Sequence, residues 1–218
     1  MPKHAYKDSS LLRLLHFLDE HSTSDSHPII PHHAEVNSLH SYSAPKHSSL
    51  RKASVLIPII KPDKEGVAKI IFTLRSENLN SHAGQVSLPG GSRDASDSDD
   101  IATALRESQE EIGLDSDKVE VIGQLADLIL PSGFCVTPVI ALVETELTLN
   151  PCPIEVAEIF TAPLALILDL DSYTRSTVQF QNKPRTILEI NHGKYRIWGA
   201  TAAILYSLAA QLNAFSSG

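Results

Sequence analysis

The chain has 218 residues, of which 42% are apolar, and it carries a formal net charge of −8. The sequence pI near 5.6 argues against binding to nucleic acid or to a membrane surface, because both depend on a basic footprint. The length and apolar content suffice for one domain with a substantial core. Cys135 and Cys152 show no C-x-x-C pattern, which favours core thiols over a disulfide framework or a zinc site.

The first 50 residues differ in composition from the rest of the chain. They hold eight of the ten histidines, ten serines and one apolar stretch, LLRLLHFL at 11–18, which predicts an amphipathic helix. The remainder up to residue 50 has the Pro, Ser and polar content of a flexible loop or linker. Its histidines lack metal-ligand spacing, which favours a solvated segment over a metal site. The chain shows no signal-peptide or membrane-span pattern, so we expect a cytoplasmic protein.

From residue 53 onward the pattern is that of a folded α/β domain. Short β-branched runs bounded by turn residues predict strands, and Ala/Leu-rich or periodic runs predict helices. Because single helices come between strands, a mixed β-sheet flanked by helices is favoured over an all-β barrel. In chain order, the predicted strands are 53–60, 67–75, 85–89, 119–130, 134–144, 156–164, 186–192 and 195–198, and the predicted helices are 98–113, 165–170 and 199–213.

The helix predicted at 98–113 has clear end signals. Ser98 is a candidate N-cap, and Gly113 suits the left-handed residue that commonly ends a helix. Ile101, Leu105 and Ile112 recur at spacings of four and seven residues, which predicts that their side of the helix faces the core.

Three glutamates, Glu107, Glu110 and Glu111, crowd into five residues of this helix. At about 100° per residue they share an arc of about 100°, centred roughly 140° from the apolar side, so we expect them to face out of the core. A solvated acidic face is one interpretation. However, the like charges repel one another, and Arg106 is the one opposite charge within the helix. A divalent cation held by these oxygens is the other interpretation, and the spacing alone leaves both open.

The residues before and within this helix resemble the Nudix box of diphosphate hydrolases. A Gly90-Gly91 turn is followed by five residues, Asp97, eight residues, and then R-E-S-Q-E-E-I-G-L from Arg106 to Leu114. The general family pattern has Glu at the position of Asp97 and one residue fewer before the arginine.

The longer spacing and the segment upstream are similar to the Nudix subfamily that hydrolyses coenzyme A. Residues 72–91 read FTLRSENLNSHAGQVSLPGG, which resembles the second signature of that subfamily in L-R-S, His-x-Gly-Gln-Val-Ser and Pro-Gly-Gly. Two departures are Asn80, where many members have Arg, and Leu88, where Phe is frequent. The resemblance covers roughly residues 50–213.

The resemblance implies an α/β/α Nudix fold over residues 51–218. The composition predicts an N-terminal helix and a His/Ser-rich flexible segment before it, over residues 1–50. The resemblance also implies a metal-dependent diphosphatase that cuts coenzyme A into 3′,5′-ADP and 4′-phosphopantetheine, with Mg²⁺ or Mn²⁺ as the cofactor. A Nudix enzyme for another nucleoside-diphosphate substrate, such as ADP-ribose, and a non-catalytic Nudix-fold module are the alternatives. The expected partner is a small nucleotide, without nucleic acid or membrane, and a homodimer is left open.

The resemblance also assigns roles to particular residues. Glu107 and Glu111 are the implied metal ligands, Glu110 a third ligand or a general base acting through water, and Arg106 orients the glutamates. Substrate contacts are expected from Arg75, His82, Gly90 and Gly91, with Arg93 as a further phosphate ligand. For Arg75 and His82, a surface charge and a locally packed loop side chain are the respective alternatives, and Trp198 is interpreted as a core residue.

Overall fold

The computed structural model describes residues 6–20, 50–62, 66–79, 81–130, 132–180 and 183–216. The histidine-rich loop predicted up to residue 50 and part of the turn predicted at 61–66 therefore lie outside the described residues, as does Asn80. Among the helices described, none is long and apolar enough to cross a membrane.

Four α-helices and eleven strands are formed by the described residues. The helices are α1 (Ser9–Glu20), α2 (Asp100–Ile112), α3 (Leu164–Leu168) and α4 (Gly199–Ser216). The strands are β1 (Arg51–Ile60), β2 (Lys69–Arg75), β3 (Val86–Ser87), β4 (Gly90–Ser92), β5 (Val119–Gln124), β6 (Leu128–Ile129), β7 (Phe134–Val143), β8 (Val156–Pro163), β9 (Thr174–Phe180), β10 (Lys183–His192) and β11 (Tyr195–Trp198).

The first eight strands form one mixed sheet in the described part of the chain. Its centre is the parallel pair β1 and β7, which stay in register from Arg51 opposite Phe134 to Ile60 opposite Val143. All other pairings in this sheet are antiparallel: β1 with β2 and β4, β2 with β3 and β8, and β7 with β5 and β6. The long apolar runs of β1 and β7 follow from this central position, because both of their faces are covered.

Helices cover both faces of the mixed sheet, which gives the expected α/β/α arrangement. On one face, side chains of α1, α3 and α4 join Ile57 and Ile59 of β1 in a large core cluster. On the other face, Ala104 and Ile112 of α2 pack with Leu56 of β1 in a second cluster. Since successive strand residues point to opposite faces, β1 contributes to both cores.

The N-terminal helix α1 packs into the larger core. Its buried side chains are Leu11, Leu14 and Phe17, which recur every three residues on one side. Leu11 donates its backbone N–H to the Asp8 carboxylate at 3.0 Å, so Asp8 caps the first turn. This helix therefore belongs to the same packed body as the sheet.

Strands β9, β10 and β11 form a separate antiparallel sheet in the described region. The sequence did not predict β9, because TRSTVQF alternates polar residues and offers no apolar run. The expectation of a core position for Trp198 is wrong: its side chain is partly exposed, and the Arg196 guanidinium lies over its ring at 5.3 Å. The two cysteines are free, with Cys135 buried and Cys152 only partly so.

Candidate active site

Helix α2 begins one residue later than the Ser98 cap predicted from the sequence. Asp99 has extended backbone, and its carboxylate accepts a hydrogen bond from the N–H of Ala102 at 2.7 Å. The Ser98 carbonyl instead accepts from Arg93 at 2.9 Å. At the other end, Gly113 adopts φ 66° and donates its N–H back to the helix, as predicted.

The prediction that all three glutamates face outward is wrong for Glu111. Its side chain is only 3% exposed, whereas Glu107 is 16% and Glu110 is 59% exposed. The buried side of the helix is rotated relative to the predicted one. Ile101 and Leu105, which were predicted to face the core, lie only at its edge. The buried residues of α2 are Thr103, Ala104, Ser108, Glu111 and Ile112.

Ala104 and Ser108 are small buried residues that let α2 approach the sheet closely. On the sheet, Gly90 and Gly91 of β4 leave room for the helix. The N–H of Gly90 donates to Glu111 Oε2 at 3.2 Å. A Cβ at Gly91 would lie 2.5 Å from Glu107 Oε2, so any larger residue would displace this carboxylate from the backbone. The Gly-Gly turn and the acidic helix, predicted as neighbours along the chain, are therefore packed against each other.

Arg106 connects the acidic helix to the loop that precedes it. Its guanidinium donates to both oxygens of Asp97 at 2.9 and 3.0 Å and to the Ser92 carbonyl at 3.0 Å. It also donates to Glu107 at 2.9 Å and to Glu110 at 3.1 Å. Hydrogen bonds from Arg106 hold the pKa of Asp97 well below its usual range. Asp97 therefore closes the longer loop onto Arg106.

Glu107 and Glu111, the two less exposed glutamates, have too little positive charge around them to offset their burial. Desolvation raises the pKa of Glu111 to about 7, against the opposing effects of the Gly90 N–H and the Arg75 charge. Desolvation also raises the pKa of Glu107, although Arg106 counteracts it. Both carboxylates thus lie where a cation would be favourable.

A fourth carboxylate, Glu155, lies close enough for its negative charge to raise the pKa of both Glu107 and Glu111. It immediately precedes β8, and its carbonyl accepts the N–H of Ser76 at 2.8 Å. This residue was not predicted from the sequence. A glutamate at the start of a strand, separated by more than 40 positions from the acidic helix, gives a weak signal.

Of the side chains expected to contact substrate, Arg75 lies beside the glutamates, whereas those of His82 and Arg93 contact residues of their own loops. Arg75 lies at the site, with Nη1 3.6 Å from Glu111 Oε1, and its buried Nε has no hydrogen-bond partner among the described residues. His82 is exposed at φ 57°, with Nδ1 3.0 Å from Gln85 Oε1, and it makes no described contact with the glutamates. Arg93 is bound to the loop before α2. Leu88, at the position of the frequent Phe, is a buried core residue.

The chemistry of the side chains fits a hard divalent cation, although the ligands are not yet arranged around one. In the part of the chain that the structure describes, no three acidic, histidine or cysteine side chains are assembled into a metal site, and two of the three glutamates turn towards Arg106. Nevertheless, the available donors are carboxylate oxygens, which Mg²⁺ and Mn²⁺ prefer. A buried carboxylate such as Glu111, with one N–H donor and a cation no nearer than 3.6 Å, has a need for positive charge that such an ion meets.

Comparison with known proteins identifies the family. The family model described as the NUDIX domain matches residues 50–178. The chain belongs to the Nudix hydrolases. A protein of Photorhabdus laumondii named "Uncharacterized Nudix hydrolase NudL" is 43% identical over 162 residues, which cover 74% of this chain and 85% of the relative. A protein of the same name from Yersinia enterocolitica is 40% identical over 174 residues, which cover 79% and 85% of the respective chains.

A solved structure of an Ap4A hydrolase from C. elegans is also similar, at 15% identity and a TM-score of 0.49, covering 78% of this chain and 99% of that one. As a Nudix hydrolase, the protein is a pyrophosphohydrolase that acts on nucleoside diphosphate derivatives. Nudix hydrolases generally use divalent ions such as Mg²⁺ or Mn²⁺.

Proposed function

We propose that this Nudix hydrolase cuts coenzyme A into 3′,5′-ADP and 4′-phosphopantetheine. The observation that carries the proposal is the contact between the two sequence signatures. Arg75 belongs to the segment that resembles the coenzyme A signature, and it lies 3.6 Å from Glu111 of the Nudix helix. Gly90, at the end of the same segment, donates to the same carboxylate. The segment that resembles the coenzyme A signature is therefore in contact with the acidic residues of the Nudix helix.

The proposed reaction adds water to one phosphorus of the diphosphate. The bridging P–O bond breaks, and the bridging oxygen leaves on the other phosphate. Glu107 and Glu111 would hold Mg²⁺ or Mn²⁺, with Glu155 near enough to share the ion. The ion supplies positive charge against the phosphate oxygens and a more acidic bound water. Arg75 neutralises phosphate charge through the N–H groups of its Nη atoms, since its Nε is buried.

Glu110 is the best placed of the helix carboxylates to take a proton from water. It is the most exposed of the three, and its contact with Arg106 orients it without burying it. We assign Arg106 to positioning, since its guanidinium is bound to Asp97, Ser92 and the glutamates. The Gly90-Gly91 turn admits the diphosphate beside the carboxylates, and His82 is assigned to the outer part of the substrate.

An activity screen tests the proposal. Purified protein is incubated with coenzyme A, ADP-ribose and dinucleoside polyphosphates, each with Mg²⁺, with Mn²⁺ and with chelator, and the products are resolved by chromatography. We expect metal-dependent release of 3′,5′-ADP and 4′-phosphopantetheine as the fastest reaction. Faster cleavage of another substrate would assign the enzyme to that substrate instead. Failure to cleave any of them would favour a non-catalytic module.

We further propose that the enzyme works in the cytoplasm, where coenzyme A would be within its reach. Two free cysteines are compatible with a reducing compartment. Fractionation of cells that express the full chain tests this location, and recovery of the protein outside the cytoplasmic fraction would contradict it.

A further inference from the structure

A buried hydroxyl on β1 has no hydrogen-bond partner in the described part of the chain. Ser54 is fully buried, and its Oγ makes no hydrogen bond with any residue that the structure describes. A buried hydroxyl without a partner destabilises a fold, and an alanine would fill nearly the same space without that cost. The hydroxyl of Ser54 therefore needs an explanation other than packing.

Ser54 lies on the side of β1 that faces the acidic helix α2. Leu56 packs with Ile112 of α2 in the smaller core cluster. Because side chains two residues apart on a strand point the same way, Ser54 faces α2 as well. Ser54 is paired with Gly91 on β4 and with Thr137 on β7. The three positions form one row across the sheet beneath the helix.

The other two positions of this row are each in contact with a carboxylate. The Thr137 hydroxyl donates to Asp127 at 2.6 Å. At Gly91, the carboxylate of Glu107 fills the place that a Cβ would take, with Oε2 2.5 Å from it. Paired residues on one side of an antiparallel sheet have Cβ atoms about 4.5–5.5 Å apart. The side chain of Ser54 is therefore a neighbour of the Glu107 carboxylate.

The carboxylate of Glu107 has one oxygen that can accept a further hydrogen bond. Its Oε1 accepts from Arg106 at 2.9 Å, whereas no described residue donates to Oε2, the oxygen nearest to Gly91. A donor without an acceptor, on Ser54, thus lies beside an acceptor without a donor, on Glu107. The hydrogen bond between them is not made while Glu107 is turned towards Arg106.

We propose that Ser54 is a positioning residue for the metal-binding form of the site. Its hydroxyl donates to Glu107 and holds one carboxylate oxygen against the sheet, so that the other oxygen is presented to the cation. A ligating carboxylate that is itself hydrogen-bonded keeps its orientation, and loss of such a bond typically costs about 10–100-fold in metal affinity or activity. This inference rests on the proposed function in one respect, that Glu107 binds the cation, and is independent of which diphosphate is cleaved.

Calorimetric titration with Mn²⁺ alone tests the inference without any substrate. The proteins compared are the wild type, Ser54→Ala, and Ser54→Cys, which keeps the size of the side chain with a weaker donor. Ser108→Ala is the matched control, since Ser108 is another fully buried serine whose hydroxyl already donates to the Ala104 carbonyl at 2.7 Å. We expect Ser54→Ala to weaken Mn²⁺ binding about tenfold, Ser54→Cys to weaken it less, and the control to keep the wild-type affinity.

Thermal melts in chelator separate positioning from a structural role. Removal of a buried hydroxyl that has no partner should leave the metal-free melting temperature of Ser54→Ala at or above that of the wild type. A residue that only supports the fold would lower this temperature. A lower metal-free melting temperature would therefore overturn the inference, as would an unchanged affinity for Mn²⁺.

Kinetics with coenzyme A distinguish this inference from the proposed function. If coenzyme A is cleaved, kcat/KM of Ser54→Ala should fall about tenfold at low Mn²⁺ and recover at saturating Mn²⁺. If coenzyme A is not cleaved but Ser54→Ala weakens Mn²⁺ binding, the positioning role stands and the proposed substrate fails. If coenzyme A is cleaved and Ser54→Ala alters neither the rate nor the Mn²⁺ affinity, the positioning role alone is overturned. If neither cleavage nor an effect on Mn²⁺ binding is found, both are overturned.

Discussion

Two partly or fully buried carboxylates, Asp127 and Glu111, differ in how well their charges are satisfied. Asp127 accepts from Lys52 at 2.7 Å, Thr137 at 2.6 Å and the Cys135 thiol at 3.2 Å. Burial raises the pKa of Asp127, but these donors outweigh it, and the pKa lies below its usual range. Glu111 is more deeply buried and has one N–H donor at 3.2 Å and one guanidinium at 3.6 Å.

We propose that this difference separates a carboxylate that supports the fold, Asp127, from one that is retained for function, Glu111. A buried charge without sufficient partners destabilises the fold, so its retention needs a reason outside the fold. At Asp127 the charge links β1 and β7 to the segment before β6. At Glu111 the deficit of positive charge coincides with the glycine turn, with Arg75 and with the negative charges of Glu107 and Glu155. We therefore propose that a cation binds at Glu111 and not at Asp127.

The largest effect is expected for Glu111→Gln. If Glu111 binds the metal as proposed, loss of its oxygen removes several kcal/mol of transition-state stabilisation, so we expect kcat/KM to fall by about 10³-fold. The metal-free variant should melt at or above the wild-type temperature, because the amide still accepts the Gly90 N–H and no longer buries a charge. Steady-state kinetics and calorimetric melts in chelator measure the two effects. A variant that is inactive because it unfolds would contradict this separation of activity and stability.

Substitutions at the neighbouring Gly90 and Gly91 also test whether activity and stability can be changed separately. At Gly91, an added Cβ meets the carboxylate of Glu107, which can move. Gly91→Ala should therefore lower kcat/KM by about 10–100-fold with little loss of stability. At Gly90, with φ 152°, a Cβ would lie 2.4 Å from the Ser54 carbonyl, which cannot move.

Gly90→Ala should accordingly lower the free energy of unfolding by about 2–4 kcal/mol. Urea denaturation of both alanine variants, beside their kcat/KM, gives the comparison. Equal stability losses at the two positions would show that the packing of Glu107 against the turn is part of the fold rather than of the site.

Asp127→Asn tests the other half of the comparison. The amide nitrogen would face the Lys52 ammonium, and a half-buried hydrogen-bond network would lose its charge, so we expect a loss of about 1–3 kcal/mol in unfolding free energy. Activity per folded molecule should change less than threefold, about 0.6 kcal/mol. A loss of activity comparable to that of Glu111→Gln, without unfolding, would show that Asp127 is part of the active site.

The sequence predicted the regular elements well where one local signal dominated. The apolar runs of β1, β2 and β7 and the left-handed stop at Gly113 depend on a few adjacent residues, and the structure has them close to the predicted positions. The polar strand β9 was missed because its alternation is supported by pairing with β10, which is a tertiary effect.

The rotation of α2 could not be derived from its own residues. Ile101 and Leu105 predicted one buried side, but the glycines of β4 admit the helix so closely that Ser108 and Glu111 are buried instead. Glu155 was missed for a related reason, since only the pairing of β8 with β2 brings it to the site. Motif residues were thus predictable by type, whereas their burial depended on what packs against them.

The smallest effect is expected at Asp97, which combines features of both carboxylates in the comparison. Like Asp127 it is fully satisfied, and like Glu111 it belongs to the active-site region. Because its pKa is lower in the folded than in the unfolded chain, its stabilisation is present above the unfolded pKa and is lost as the pH falls through the folded value. Asp97→Asn should lower the melting temperature by about 2–4 °C at pH 7.

The difference between wild type and Asp97→Asn should begin to shrink as the pH falls below about 4, because the Asp97 carboxyl of the unfolded wild-type chain then binds a proton while that of the folded chain is still ionised. Thermal melts from pH 7 to pH 3 give this profile. A difference that stays constant over the whole range would mean that Asp97 acts through the shape of its loop. If instead the two melting temperatures converge in acid, the charge on Asp97 holds Arg106 in position. Arg106 in turn positions Glu107 and Glu110.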